Sequence, residues 1–297
     1  MVLVFVDGVG LSAAVPGNPL LDHPTPALDA LLGGSLTLER RTRGDRVVLL
    51  GIDANLGVAG LPQSATGQTT LFTGINAAEF MGRHVAAFPG PRLRGLIEGS
   101  GLLKRVRAKG RRVTFANAFS SGYFEQIEKR RRRPSVTVIA TWSAELELRT
   151  LDDLANRRAL SWDLERDYIA LAMESEVPRI EAHQAGADLA RLSAEHELTV
   201  FETFLPDLAG HRRFSIDAAD VVRRLDGLLG GLLEELPAHV TLVLTSDHGN
   251  FEELEHKRHT RNLVPLLAVG PRARLFREAE SLADVTPLIL AALAECP

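Results

Sequence analysis

Hydrophobic and polar positions change their period along the chain in a way that predicts strands and helices in alternation. Short runs of mainly apolar residues predict buried strands at residues 2–6, 46–50, 112–117, 198–204, 240–244 and 264–269. Stretches with apolar positions on one helical face predict helices at residues 26–32, 93–109, 186–197 and 215–236, and a further helix begins at Ser64. This alternation predicts an α/β fold with a doubly wound, mostly parallel sheet.

The alternation breaks after Phe119. A basic run at residues 129–133 predicts a solvated face, residues 136–140 predict a short strand, and residues 144–158 predict a helical segment. We therefore predict a core formed by residues 1–120 and 185–297, with residues 121–184 inserted as a small cap or lid. A last helix is predicted with Thr286 as its N-cap and Pro287 in its first turn.

The composition narrows the classes of partner and the cell compartment. Of 297 residues, 45% are hydrophobic and 24% are charged, which is ordinary for a globular protein with a full core. A net charge of -4 argues against binding to nucleic acid or to an anionic membrane. The single cysteine, Cys296, excludes a disulfide framework, and the opening apolar run is too short for a signal peptide or a membrane span. We expect a cytoplasmic protein; the sequence does not determine its oligomeric state.

Polar side chains that can bind metal ions follow the predicted strands. In open α/β sheets, ligands bind in the crevice at the carboxyl ends of the strands. Each Asp or His alone is more often a turn residue or a hydrogen-bonded core residue, but together they form a set at one sheet edge. Carboxylates and imidazoles without thiolates suit zinc or manganese, and there are enough of them for two ions. The residues are Asp7, Asp207, His211, Asp247, His248 and His259.

Ser64 stands at the start of a predicted helix, within the segment LPQSATGQTTLFTG. The commoner role of a serine at this place is an N-cap. The alternative is a reactive hydroxyl, because the helix dipole and the free N–H groups favour a phosphate beside it. Two nearby metal ions would clamp an in-line displacement at phosphorus, and a serine beside one of them could serve as the nucleophile.

Three segments carry a resemblance to a known family. SDHGN at residues 246–250 resembles the ADHGN of certain mutases, HT at 259–260 followed by VP at 264–265 resembles their HT…VP segment, and DLAGHRR at 207–213 is similar to a phosphopentomutase motif. The position of Gly74 selects Ser64 as the nucleophile in the family register. The chain thus resembles the alkaline phosphatase superfamily of metalloenzymes, nearest the branch with cofactor-independent phosphoglycerate mutase and phosphopentomutase.

The resemblance implies a role for each matched residue. It implies a phosphoserine at Ser64 and two divalent ions, Mn²⁺ or Zn²⁺. The first ion would be held by Asp207, His211 and His259, and the second by Asp7, Ser64, Asp247 and His248. Contacts to the phosphate or the leaving group are expected from Arg83, His84, Arg212 and Arg261.

Two departures from the family pattern change the expected reaction. The phosphoglycerate mutases carry a far larger inserted domain, and this chain has Gln68 where their SEVGH segment has its histidine. A short lid should let water reach the phosphoserine. We therefore expect a phosphatase or phosphodiesterase that acts on a small phosphorylated substrate. The alternatives are a phosphomutase on a small sugar phosphate and, outside enzymes, a metal-binding scaffold that has lost activity.

Overall fold

A seven-stranded sheet lies at the centre of the structure. The structure is a computed structural model that describes residues 1–14, 16–168, 177–213 and 216–295. Strands and helices are numbered along the chain. The strands of the main sheet are β1 (Val2–Val6), β2 (Thr42–Arg43), β3 (Val47–Ile52), β4 (Val113–Phe115), β7 (Leu198–Thr203), β8 (Leu242–Thr245) and β9 (Val264–Val269). Two short strands, β5 (Ala118–Phe119) and β6 (Arg149–Thr150), pair in parallel as a separate small sheet.

Strand direction decides which ends meet at the functional edge. The order across the main sheet is β2-β3-β9-β8-β1-β7-β4. Strands β4, β7, β1 and β8 are parallel to their neighbours in this group, whereas β9 is antiparallel to both β8 and β3. The amino end of β9 therefore lies beside the carboxyl ends of β8 and β3. The predicted fold class, an α/β fold with a mostly parallel sheet, is confirmed.

Helices cover both faces of the sheet because its buried strands have two apolar faces. In β1, Leu3 and Phe5 belong to one hydrophobic cluster, while Val2, Val4 and Val6 belong to the other. This alternation is expected for a strand buried on both sides. The helices are α1 (Pro19–Asp22), α2 (Pro26–Leu32), α3 (Ser64–Thr73), α4 (Ala77–Met81), α5 (Pro91–Ser100), α6 (Leu102–Arg107), α7 (Ser121–Glu128), α8 (Val136–Ser143), α9 (Leu151–Ala155), α10 (Ala182–Glu195), α11 (Leu205–Gly210), α12 (Ala218–Glu235) and α13 (Leu282–Ala294).

The predicted strand at residues 136–140 is wrong, because this segment forms helix α8. Ser135 caps the helix by accepting a hydrogen bond from the Val138 N–H at 3.3 Å. Inside the helix, the Thr141 hydroxyl donates to the Thr137 carbonyl oxygen at 2.8 Å. Burial against α3, α5 and α6 outweighs the β propensity of this Val- and Thr-rich run.

Two predicted helices have different bounds from those expected. The last helix begins at Leu282 with a capping box formed by Ser281 and Asp284, so Thr286 is not its N-cap and Pro287 lies inside it. The Thr286 hydroxyl instead donates to the Leu71 carbonyl oxygen at 2.6 Å, which joins this helix to α3. The stretch at 93–109 is divided into α5 and α6 at Gly101.

Other predicted bounds shift by smaller amounts. The helical segment expected at residues 144–158 is a β strand followed by the short helix α9. Helix α10 begins at Ala182 rather than at residue 186. The predicted start of the next helix, Ser215, lies outside the described residues, and α12 begins at Ala218 with Asp217 as its N-cap. Cys296 also lies outside the described residues.

The segment at 121–184 combines exposed and core portions. The basic run at residues 129–133 is exposed, as expected for a solvated face. Helix α8 belongs to the main hydrophobic cluster through Val136, Val138 and Ile139. The division into a core of residues 1–120 and 185–297 with a lid at 121–184 stays a prediction. Among the helices of the described ranges, none is both long and apolar enough to cross a membrane.

Helices α10 and α12 pack closely on the second face of the sheet because glycines allow their backbones to meet. A Cβ atom at Gly231 would overlap the backbone carbonyl oxygen of His183, and a Cβ at Gly186 would overlap that of Leu228. Two helices cannot approach so closely when side chains occupy the contact.

Replacing Gly231 with alanine is expected to lower the free energy of unfolding by roughly 1–3 kcal/mol or more, because α10 and α12 must separate. Gly230→Ala is the matched control. A Cβ at Gly230 would lie 3.5 Å from the Ala27 Cβ and 3.6 Å from the His183 Cδ2, which are ordinary contacts. This control should be neutral or gain up to about 1 kcal/mol of helix propensity. Urea unfolding of both variants measures the difference, and equal stabilities would contradict this packing argument.

Candidate metal centre

Two polar turns at the carboxyl edge of the sheet are locked together. Asp7 follows β1, and its N–H donates to the Thr203 carbonyl oxygen at 3.0 Å. The Ser246 hydroxyl, just after β8, accepts from the Val9 N–H at 2.9 Å and donates to the His248 carbonyl oxygen at 3.0 Å. These bonds hold the turn after β1 against the turn after β8.

Glu252 joins the same two turns to the segment that precedes β9. Its buried carboxylate accepts the N–H groups of Gly10 and Asn250 at 2.9 and 2.8 Å, and it also accepts from the Thr260 hydroxyl and the Asn262 amide. The His259-Thr260 segment is thereby tied to the turn after β8. Since β9 begins beyond this segment, its reversed direction brings His259 to the edge where β1 and β8 end.

The six Asp and His residues among the predicted metal ligands lie in one cluster. Asp207 is in the first turn of α11, and His211 caps the same helix, with the Nε2 atom of His211 3.3 Å from the Oδ1 atom of Asp207. The His211 and His259 Nε2 atoms are 3.1 Å apart. The His248 Nε2 atom is 3.3 Å from the Asp7 Oδ1 atom. Two groups have their ligand atoms within 4.8 Å of one another: Asp207, His248 and His259, and Asp7, Asp247 and His248.

Ser64 joins this cluster rather than capping its helix. It is the first residue of α3, whose N-cap is Gln63. The Ser64 Oγ atom lies 3.0 Å from the His248 Nε2 atom. The N-cap interpretation of Ser64 is therefore wrong, and its hydroxyl faces His248, which belongs to both groups.

Hydrogen bonds to the backbone fix the orientation of the histidines. The His211 Nδ1 atom lies 2.8 Å from the Lys257 carbonyl oxygen, and the His259 Nδ1 atom lies 2.7 Å from the Pro62 carbonyl oxygen. A carbonyl only accepts, so each Nδ1 carries a proton, and in the neutral ring the Nε2 atom presents a lone pair. The two Nε2 atoms lie 3.1 Å apart, a distance that requires either a proton or a cation between them. This arrangement is typical of metal-binding histidines.

Burial keeps two of these histidines neutral. Burial, followed by the charge of His248, lowers the pKa of His259 to about 4. Burial also lowers the pKa of His248. The neutral imidazole is the form that binds a metal ion. By contrast, the hydrogen bond between His211 and Asp207 raises the pKa of His211, which is half-exposed.

For two of the carboxylates, burial shifts the pKa upward. Burial and then the charges of Asp247 and Asp207 raise the pKa of Asp7 well above its usual value, and burial raises the pKa of Asp247 to about 7. Burial also opposes ionisation of Asp207, but the hydrogen bond with His211, the charges of His248 and His211 and the hydrogen bond from Asn250 together outweigh it, so the pKa of Asp207 falls to about 2. A cation beside Asp7 and Asp247 would favour the ionised form of both carboxylates at neutral pH.

Several unpartnered oxygens show where an ion would fit. The Oδ1 atoms of Asp7 and Asp247 are buried and accept no hydrogen bond from the protein. Oxygen and imidazole nitrogen are the donor types that Zn²⁺ and Mn²⁺ take in such sites. The residues present therefore fit divalent ions, while the number and identity of the ions stay predictions.

Sequence reasoning missed three residues of the site. Glu202 in β7 is buried, and burial raises its pKa to about 8. A single carboxylate near the end of a wholly buried strand was the available signal. Asn250, inside the SDHGN segment, donates to the Asp207 Oδ1 atom at 3.1 Å. Gln68 is buried within the cluster, although the sequence comparison related it only to substrate handling.

The four predicted substrate contacts are spread over the rim. Arg83 and His84 line an open cavity of about 430 Å³. Arg261 lies near it, since its charge adds to the burial that lowers the pKa of His84. Arg212 does not line this cavity; its guanidinium donates to the Leu254 carbonyl oxygen at 2.7 Å. The structure therefore brings together only Arg83, His84 and, nearby, Arg261.

Replacing Glu202 with glutamine is expected to stabilise the metal-free protein at alkaline pH. Between pH 4.5 and about 8 the unfolded chain has released the Glu202 proton while the folded chain still holds it, so the stability of the wild type falls as pH rises. Glu202→Gln removes this loss, at most about 1.4 kcal/mol per pH unit. Urea unfolding with a chelator at pH 5 and pH 8 measures it.

The exposed Glu98, which pairs with Arg94 on the surface, provides the matched control. Glu98→Gln should track the wild type at both pH values. If the difference in free energy of unfolding between Glu202→Gln and the wild type is the same at pH 5 and pH 8, ionisation of Glu202 does not destabilise the fold and the prediction is wrong.

Sequence comparisons point to metalloenzymes. Residues 165–294 match the family model described as the Metalloenzyme superfamily. The 2,3-bisphosphoglycerate-independent phosphoglycerate mutase of Acinetobacter baylyi is 32% identical over 123 residues, which cover 38% of this chain and 24% of the mutase. The mutase of Laribacter hongkongensis is 38% identical over 93 residues, covering 29% and 18%. The chain thus spans about a quarter or less of the length of these curated relatives.

Structural comparison extends the likeness over the whole chain. The PH0037 protein from Pyrococcus horikoshii superposes with a TM-score of 0.58 at 13% identity, covering 100% of this chain and 97% of that one. Alkaline phosphatase from the Antarctic bacterium TAB5 gives a TM-score of 0.53 at 13% identity, covering 99% and 97%. At this identity the likeness shows the fold alone. The chain is similar in sequence to the Metalloenzyme superfamily over residues 165–294 and in fold to an alkaline phosphatase over its whole length, which confirms the resemblance predicted from its motifs.

Proposed function

We propose that the chain is a metal-dependent phosphoryl-transfer enzyme that hydrolyses a phosphoric ester through a phosphoserine at Ser64. The observation that carries this proposal is the position of the Ser64 Oγ atom, 3.0 Å from the His248 Nε2 atom and at the amino end of α3. A helix N-terminus favours an attached phosphate, and a hydroxyl surrounded by metal ligands is suited to nucleophilic attack.

The roles of the residues follow from their positions. Asp207, His211 and His259 would hold one divalent ion, and Asp7, Asp247, His248 and Ser64 a second, either Mn²⁺ or Zn²⁺. When bound, such ions lower the pKa of nearby hydroxyl groups and neutralise charge on the phosphoryl oxygens. Ser64 forms the bond to phosphorus as the leaving-group oxygen departs, and water then cleaves the phosphoserine to restore the hydroxyl and release phosphate.

The cavity beside Ser64 supports a small substrate. Gln63, which immediately precedes the nucleophile, lines it together with Arg83 and His84. The Val85 N–H donates to the Thr66 hydroxyl at 3.2 Å, so the loop with Arg83 is fastened to the first turn of α3. A volume of about 430 Å³ suits a small phosphorylated molecule. Substrate contacts by Arg83, His84 and Arg261 are part of this proposal, and so is a cytoplasmic location.

Hydrolysis is favoured over mutase chemistry by the same cavity. It is open to solvent and is lined by Gln63, the neighbour of Ser64, so water can approach a phosphoserine from this side. The second candidate is a phosphomutase on a small sugar phosphate, which the similarity to phosphoglycerate mutases supports. A metal-binding scaffold without activity is the candidate outside enzymes, and it requires no reactive serine within the ligand cluster.

Ser64→Ala is expected to lower the rate of phosphate release from p-nitrophenyl phosphate by roughly a thousandfold or more, because the nucleophile is absent. Metal content is measured on the same samples. With added Mn²⁺ or Zn²⁺, the variant should still become saturated with metal. Intact-mass analysis of the acid-quenched wild type should show one added phosphate, which the variant lacks.

Ser135→Ala is the control, because the Ser135 hydroxyl caps α8 and bonds to the Thr137 hydroxyl at 2.8 Å rather than to any proposed ligand. It should lose about 1 kcal/mol of stability and keep its activity. A Ser64→Ala protein that is as active as the wild type would exclude the phosphoserine route. A wild type that binds metal but releases no phosphate from any ester, and isomerises no sugar phosphate, would favour the scaffold.

Arg83→Ala is expected to raise the KM for an anionic substrate roughly tenfold with little change in kcat, since a hydrogen bond to a charged group contributes on the order of 1.5 kcal/mol. Arg92→Ala is the control, because Arg92 lies over the Phe80 ring and donates to the Phe80 carbonyl oxygen at 3.1 Å, outside the cavity lining. Steady-state kinetics distinguish the two variants. Equal KM values for Arg83→Ala and the wild type would remove Arg83 from the substrate site.

A further inference from the structure

Gln68 lies between the two carboxylates of the second ligand group. It is buried in α3, one helical turn after Ser64, with 4% of its surface exposed. Its Nε2 atom is 3.2 Å from the Asp7 Oδ2 atom and 3.0 Å from the Asp247 Oδ2 atom. One amide group therefore donates a hydrogen bond to each of two neighbouring acids.

The two carboxylates are left with their other oxygens free. The Oδ1 atoms of Asp7 and Asp247 are buried and accept no hydrogen bond from the protein, and the Asp7 Oδ1 atom lies 3.3 Å from the His248 Nε2 atom. The Asp247 Oδ2 atom, which Gln68 holds, lies 3.6 Å from the same His248 nitrogen. Gln68 thus fixes the orientation of both acids beside His248.

We propose that Gln68 is a positioning residue whose hydrogen bonds to the Oδ2 atoms of Asp7 and Asp247 fix both carboxylates in the orientation in which they meet a divalent ion. This inference rests on the metal centre of the proposed function, and it concerns the protein before any substrate binds. It assigns to Gln68 a contact with metal ligands instead of a contact with substrate.

A primary amide is well suited to this task. Its NH₂ group carries two hydrogens on one nitrogen, which matches two adjacent acceptors. It is also neutral, whereas a lysine or arginine at this place would bring a positive charge that competes with the ion. A histidine, which the mutase segment SEVGH has here, carries its two nitrogens at separate ring positions and cannot serve both acids from one atom.

The position of α3 makes the contact rigid. A Cβ atom at Gly67 would lie 2.7 Å from the Asp247 carbonyl oxygen, so the absence of a side chain there lets the helix rest directly against the turn after β8. Ser64 and Gln68 are on the same face of this helix, four residues apart. One helix therefore positions the proposed nucleophile and orients two of the proposed ligands.

Gln68→Met tests the proposal, because methionine has a similar length and no N–H group. Thr69→Val is the matched control: Thr69 is the next residue, equally buried, and its hydroxyl donates only to the Ala65 carbonyl oxygen of its own helix at 2.6 Å. Calorimetric titration of chelator-treated protein with Mn²⁺ or Zn²⁺, without substrate, gives the affinity of each site. The absorption spectrum of the Co²⁺ form reports ligand geometry.

For Gln68→Met we expect one of the two sites to bind roughly tenfold to a hundredfold more weakly, as for other residues that orient metal ligands. The Co²⁺ spectrum should change, and activity should recover at excess metal. Thr69→Val should leave both affinities and the spectrum unchanged. Unfolding of the metal-free forms establishes that both variants fold.

Wild-type affinity and an unchanged Co²⁺ spectrum in folded Gln68→Met would overturn the positioning role, and the proposed phosphoryl transfer would stand. Equal weakening by Thr69→Val would also overturn it, since general damage to α3 would then explain the result. If the wild type binds metal and Gln68→Met weakens one site, but neither protein releases phosphate, the positioning role stands and the proposed reaction fails.

Discussion

The crowding of buried carboxylates at one edge of the sheet is the constraint on which the rest of the structure depends. Asp7, Asp247 and Glu202 are all buried, and burial raises the pKa of each. Ionised together without a cation, they would repel one another in a medium that solvates charge poorly. Without a cation the raised pKa values favour the protonated acids, and an ion bound here would let them ionise together, which would couple metal binding to folding.

The topology explains how residues distant in the sequence reach this edge. Asp7, Asp207 and Asp247 follow parallel strands that lie side by side in the order β8-β1-β7, so their turns are neighbours. His259 arrives differently. It precedes β9, which is antiparallel to β8, and the reversal places the start of β9 beside the ends of the others. Hydrogen bonds to backbone carbonyl groups then turn the Nε2 atoms of His211 and His259 inward.

These positions could be predicted from the sequence because apolar residues change abruptly to polar ones at the strand ends. In the runs before Asp7 and Asp247, apolar residues give way to a polar turn within one residue. The same logic failed where tertiary packing overrides local preference. Residues 136–143 are rich in Val and Thr, yet a serine cap and burial make them a helix. Glu202 escaped notice because it lies inside a strand rather than after one, and its environment arises only when β7 packs against β1.

Helix α3 shows why the local sequence was ambiguous about Ser64. A serine that begins a helix satisfies the usual expectation for a cap, and nothing in the neighbouring residues excludes that role. The distinction depends on His248, which is 184 residues away in the sequence and 3.0 Å away in space. Gln68 depends in the same way on Asp7 and Asp247. Residues on one helix face thus acquire their contacts from two strand ends, those of β1 and β8, and only the assembled sheet edge brings these contacts together.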